Sequence, residues 1–144
     1  MILIGNIGAD INKELFSAIH MGYDISSIKR IIELGPDINS KDEDFNSPLI
    51  AAVYKNRNLN VVKCLVEHGA DINDIGLGFK SALIVAADNG NIEIVKYLVE
   101  SGADSNVGDS LGYSPLMYAA YNGYLEIVKY LIEHGADINF EDER

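Results

Sequence analysis

Basic residues are scarce in this chain of 144: eleven Lys and Arg stand against 22 Asp and Glu, a formal charge of −11. Such a field repels phosphate backbones and anionic lipid, so nucleic acid and membrane surfaces are not expected partners. A local basic patch could reverse that, but the cations are scattered singly, with Lys29 and Arg30 the only adjacent pair. Cysteine is nearly absent. Cys64 alone cannot close an internal disulfide, which points to a reducing compartment. No apolar run approaches the ~20 residues that a bilayer-spanning helix needs. The opening Met-Ile-Leu-Ile has no preceding basic residue and no extended apolar core, so no secretory signal is expected. What is present is an ordinary globular balance, 48% apolar and 23% charged, enough to build a core.

The strongest positive feature is a recurring pentapeptide. Gly-Ala-Asp-Ile-Asn stands at Gly8 to Asn12, Gly69 to Asn73 and Gly135 to Asn139, with near copies at Gly35 to Asn39 and Gly102 to Asn106. Its glycines are 27, 34, 33 and 33 residues apart, a period that marks one supersecondary unit stacked on copies of itself. The first interval is short. Each copy is read as a structural turn, Asp-x-Asn bonding its own backbone, rather than as a binding element.

Aligning Ser47, Ser81 and Ser114 brings three segments into register: Ser-Pro-Leu-Ile-Ala-Ala-Val, Ser-Ala-Leu-Ile-Val-Ala-Ala and Ser-Pro-Leu-Met-Tyr-Ala-Ala. Each opens a helix, the serine accepting from a first-turn N–H, with Pro48 and Pro115 at the first helical position. Gly90 and Gly123 end the helix. A second helix follows at Ile92 to Glu100 and Leu125 to Glu133, with Val61 to Glu67 as the matching stretch; Ile92, Val95, Leu98 and Val99 define its buried face, and Lys96 and Lys129 point away. Between the closing turn and the next serine there is room only for a projecting hairpin loop, a finger.

These residues resemble the ankyrin repeat, whose first helix opens Thr-Pro-Leu-His-x-Ala. Asn89-Gly-Asn-Ile-Glu-Ile-Val-Lys-Tyr-Leu98 and Asn122-Gly-Tyr-Leu-Glu-Ile-Val-Lys-Tyr-Leu131 are similar to that family's second-helix sequences. The resemblance implies an all-α repeat solenoid of helix-turn-helix pairs with β-hairpin or loop fingers, forming a single domain. Residues 1–13 then fall to the remnant of a preceding unit, 14–35 to an N-terminal cap helix pair, 36–69, 70–102 and 103–135 to repeats, and 136–144 to the start of a truncated finger. Seven or so residues of hairpin missing after Asn12 account for the short interval.

Four departures qualify the match. Ile50, Ile84 and Met117 replace the family's histidine, removing the hydrogen bonds it makes between units. The glycine of the finger tip is kept as Gly112 but is Phe45 and Phe79 elsewhere; a bulky residue resists positive φ, so those two fingers are expected to take another path, helped in the second by Gly76 and Gly78. One extra residue lies within Lys55-Asn56-Arg57-Asn58. At the far end, Leu116, Met117, Leu125, Val128 and Leu131 keep the apolar character of an interior unit where a solvent-facing cap trades some for polar residues.

No segment carries catalytic or ligand-binding chemistry. Gly76-Leu-Gly-Phe-Lys-Ser81 lacks the spacing and preceding strand of a P-loop. His68 with Asp71 and His134 with Asp137 are separated by a repeat, with no third ligand converging. Cys64 stands where Tyr97 and Tyr130 stand in later units, a packing position, and Asp42-Glu43-Asp44 lacks EF-hand spacing. The serines are helix caps rather than activated nucleophiles. The chain is therefore expected to be no enzyme and to need no metal or cofactor.

By resemblance, recognition uses finger tips and the exposed side of the first helices, together a concave groove. Carried over by position, that surface holds Glu43, Asp44, Asn46, Tyr54, Lys55, Leu77, Lys80, Asp88, Asn89, Ser110, Leu111, Tyr113, Tyr121 and Asn122. The implied function is non-catalytic binding of a protein partner, with tyrosines as anchors. The alternative is self-association through the apolar last repeat, or a place in a longer scaffold. The richness in Ile, Asn, Asp and Tyr resembles ankyrin proteins of AT-rich genomes, which implies cytoplasm or a host cytosol as location.

Overall fold

In a computed structural model, residues 7–56 and 58–141 are described; they form eight α-helices with one π-helical and one 3-10 turn, and no strand occurs among them. No described helix is long and apolar enough to cross a membrane. The chain divides into two compact units, Met1–Asp71 and Ile72–Arg144.

The first unit holds α1 (Ile7–His20), α2 (Ile25–Glu33), α3 (Pro48–Ala51), which runs on into the π-helical turn Ala52–Asn56, and α4 (Leu59–Glu67). α1 packs on α2 and α3, and α2 and α3 both pack on α4. Gly8 to Asn12 lie within α1, not in a turn closing an earlier unit, so the boundary at 13/14 falls inside a helix. No Pro or Gly interrupts the stretch from Ala9 to His20, and Ile11, Leu15, Ala18 and Ile19 make one continuous buried stripe. The extra residue before α4 is absorbed by the π-helical turn, which closes one residue wider than an α turn. Arg57 lies outside the described residues. α4 starts at Leu59, two residues before the expected Val61, because Asn58 caps it through Asn60 N–H.

The second unit holds the 3-10 turn Leu77–Phe79, then α5 (Ala82–Asn89), α6 (Ile92–Glu100), α7 (Pro115–Tyr121) and α8 (Leu125–Glu133). α7 packs on α5 and α8 on α6, each first helix also packing on its own second. Ser47, Ser81 and Ser114 cap their helices as the sequence implies, each hydroxyl accepting from the N–H three residues on, at 3.2–3.3 Å. Gly90 closes α5 with φ 77°, and a Cβ there would stand 2.7 Å from the Tyr124 ring. Only glycine admits that ring.

The pentapeptide proves to do more than turn. Asp37, Asp104 and Asp137 each accept from the N–H two residues on, at 2.9–3.0 Å, the expected tight turn. The motif's asparagine then reaches the next copy. Asn39 Oδ1 accepts from Asp71 N–H at 2.8 Å while its Nδ2 donates to the Gly69 carbonyl at 3.1 Å. Asn73 does the same to Asp104 and Gly102, and Asn106 to Asp137 and Gly135. Asn12, although helical, accepts from Asp37 N–H at 2.8 Å. These rungs satisfy backbone groups left over at each helix end and fix where every finger starts.

Candidate protein-interaction surface

Each finger is shaped by the residue at its base. In the first, the Asp42 carboxylate accepts from Asp44 and Asn46 N–H, both at 2.9 Å, while Phe45 N–H donates to the Asp42 carbonyl at 3.0 Å. In the third, Asp109 binds Leu111, Tyr113 and Gly112 N–H in the same way, at 3.0 Å. The backbone therefore repeats. Phe45 sits at φ 65° and Phe79 at φ 58°, beside Gly112 at φ 82°. For the first finger the expectation that phenylalanine diverts the backbone is corrected: the bonds of the turn hold Phe45 in the left-handed conformation, at a cost of about 1–2 kcal/mol. Only the second finger differs locally; it lacks the carboxylate, and Gly78 adds a further positive φ of 69°.

In the second unit the third finger and α7 form one polar network. Asp109 is 2% exposed, yet its carboxylate accepts a short hydrogen bond from the Tyr118 hydroxyl in addition to the finger N–H groups. Burial works to raise this carboxyl, but the Tyr118 hydroxyl, the Tyr113 and Leu111 N–H groups and the charge of Lys80 outweigh it and hold Asp109 below the ordinary aspartate value. Lys80 Nζ lies 4.7 Å from the centre of the Tyr118 ring and 3.8 Å from the Asp88 carboxylate. Asn122 Nδ2 donates to that carboxylate at 3.0 Å. Tyr113 meets Tyr118 edge to face at 5.9 Å.

Beside this network Tyr113, Met117, Tyr118 and Tyr121 line an open groove of about 510 Å³. Tyr121 is 89% exposed, Leu111 73%, and Tyr113 and Leu77 are also exposed. The lining is largely apolar and aromatic. A sequence model of ankyrin repeats (3 copies) matches residues 15–109 and again 74–142. The chain belongs to the ankyrin-repeat family. No curated protein matches it. Ankyrin repeats are generally protein–protein interaction modules and typically non-catalytic.

The positions carried over from the ankyrin pattern fare unequally. In the first unit Glu43, Asp44 and Lys55 are exposed, but Asn46 is only 8% exposed and packs at the finger base, and Tyr54 is half-buried in the π-helical turn. Asn46 is thus turned inward: its carbonyl accepts from Asp42 N–H, which closes the finger. In the second unit Ser110 is exposed and donates its N–H to the Gly78 carbonyl at 2.8 Å, joining two fingers. Lys80, Asp88 and Asn122 belong to the network just described, and Asn89 is half-buried at the end of α5. Met117 and Tyr118 were not among the expected positions. Tyr118 has Val85 at its place in the preceding repeat, so only the structure reveals its bond to Asp109.

The other residues weighed in the sequence lie at helix ends and in the core. His68 Nδ1 lies 2.7 Å from the Cys64 carbonyl and His134 Nδ1 2.8 Å from that of Tyr130, so both rings sit on the last carbonyls of a helix. Cys64 is buried, and burial pushes its thiol up, away from a reactive thiolate.

Proposed function

We propose that this ankyrin-repeat protein is a non-catalytic binding module that holds a protein segment against the tyrosine surface of its second unit. The observation that carries this reading is the open groove of Tyr113, Met117, Tyr118 and Tyr121, with Leu111 exposed on the finger beside it. The Asp109 network fixes Tyr118 and Tyr113 before a partner arrives, so little side-chain entropy remains to be lost on binding. Exposed tyrosines bring large contact area and a polar tip, the character of interface anchors. Lys80, over the Tyr118 ring, links the groove to the polar pair Asp88 and Asn122.

A peptide selected from a displayed library on the wild-type chain provides the test. Replacing Tyr113→Ala and Tyr121→Ala together is expected to weaken its binding at least tenfold, about 1.4 kcal/mol. Unchanged affinity in a variant that melts like the wild type would overturn the assignment.

A further inference from the structure

We propose that the outer face of the last helix pair docks a basic amphipathic helix of a partner protein, in the seat relative to α8 that α8 occupies relative to α6. The inference does not rest on the tyrosine groove. It starts from two helices of the same unit in the same repeat position. Ile92, Val95 and Val99 on α6 correspond to Leu125, Val128 and Ile132 on α8, 33 residues later. α8 packs on α6, where Val95 is fully buried and Ile92 and Val99 are half-buried. On α8 the same stripe lies open: Leu125 is 76% exposed, Ile132 is exposed and Val128 half-buried. Ile138, in the turn after α8, is also exposed. The spacing i, i+3, i+7 is that of a helix-packing face rather than of scattered surface residues.

Of the apolar residues expected at this end, Leu116 and Leu131 are buried within the unit, and it is Leu125 that the structure leaves most open. Charge selects among the possible occupants. Residues 72–144 carry twelve acidic side chains and four basic ones, and Glu126, Glu133 and Asp137 are exposed on and after α8. At the seam between α6 and α8 opposite charges already meet, Lys96 to Glu126 at 3.9 Å; on α8 the equivalent of Lys96 is the exposed Lys129, so the occupant carries one acidic residue opposite it amid its Lys and Arg. A second copy of this chain would bring two acidic surfaces together, whereas a helix with an apolar stripe and Lys or Arg on its flanks meets both the stripe and the field.

The test titrates the full chain, by amide NMR, with a synthetic helical peptide carrying Leu at i, i+3 and i+7, one Glu to face Lys129 and Lys elsewhere, and with its twin carrying Glu in place of Lys. The basic peptide is expected to shift residues 125, 128, 132 and 138. Its affinity should fall at least tenfold in Leu125→Asp, in Ile132→Lys, and on raising salt from about 50 to about 500 mM. The acidic twin should leave the spectrum unchanged. Equal binding of both peptides, shifts at Leu111 and Tyr113 with none on α8, or a dimer of the free chain that Leu125→Asp dissociates would each overturn the proposal. Because the shifts report α8 and the tyrosine groove separately, failure of one reading is distinguishable from failure of the other.

Discussion

The two units share one set of devices and use them to different ends. Both carry serine caps, asparagine rungs of 2.8 Å and an Asp-based finger. The first unit bends the pattern: a helix runs through a copy of the pentapeptide, and an extra residue is taken up in a π-helical turn. The second keeps its four helices regular, with Gly90 set under Tyr124 and a buried carboxylate under Tyr118. It also shows Tyr113 and Tyr121 exposed beside the groove and carries most of the net negative charge. A repeat frame held by asparagine rungs tolerates local irregularity without losing register.

Substitutions in matched positions sharpen that contrast. The largest effect is expected from Gly90→Val, which drives a Cβ into the Tyr124 ring and strains a left-handed residue: a loss of about 3 kcal/mol or more in urea unfolding. Hydrogen exchange should rise mainly in residues 72–141, and an equal rise in α1 and α2 would break the separation of the units. Asp109→Ala, removing several hydrogen bonds, should cost about 2–3 kcal/mol, against about 1 kcal/mol for Asp42→Ala, whose half-exposed carboxylate is given only finger N–H groups. The charge of Asp109 adds a pH signature. Its folded value is depressed, so its contribution is complete above the unfolded value near ~4 and is lost as pH falls through the folded value. The stability gap between wild type and Asp109→Asn should therefore shrink below about pH 4, and a gap that widens there would contradict the network.

Asn39→Ala and Asn73→Ala should cost about 1 kcal/mol each by thermal melting, and by the same amount, since the two rungs have the same partners in different units. The smallest effect tests strain. Phe45→Gly should stabilise by up to about 1 kcal/mol, and Gly112→Ala should destabilise by a similar amount; opposite signs would show that the Phe45 ring contributes more than its backbone costs.

Much of this was legible from residues alone, for identifiable reasons. α6 and α8 begin and end where apolar period and glycine place them, at Ile92–Glu100 and Leu125–Glu133. The serine caps needed only a hydroxyl before an apolar run. What escaped were features set by bonds between segments distant in sequence. Nothing local in Asn39 announces a bond to Asp71, and a finger closed by Asp42 overrides the reluctance of Phe45. The helix through Gly8 to Asn12 was hidden because the same pentapeptide is a turn elsewhere and a helix here, where Ile11 completes a buried stripe. In the candidate surface, exposed Tyr121 and Leu111 followed from position in the repeat, whereas the inward turn of Asn46 and the anchoring of Tyr118 did not.

The most direct measurement is amide NMR of the full chain with the library-selected peptide bound. The account predicts perturbations concentrated in residues 109–122, around Leu111, Tyr113, Tyr118 and Tyr121, with the first-unit finger at 42–46 unmoved. Perturbation of that first finger, with the tyrosine groove unchanged, would contradict it.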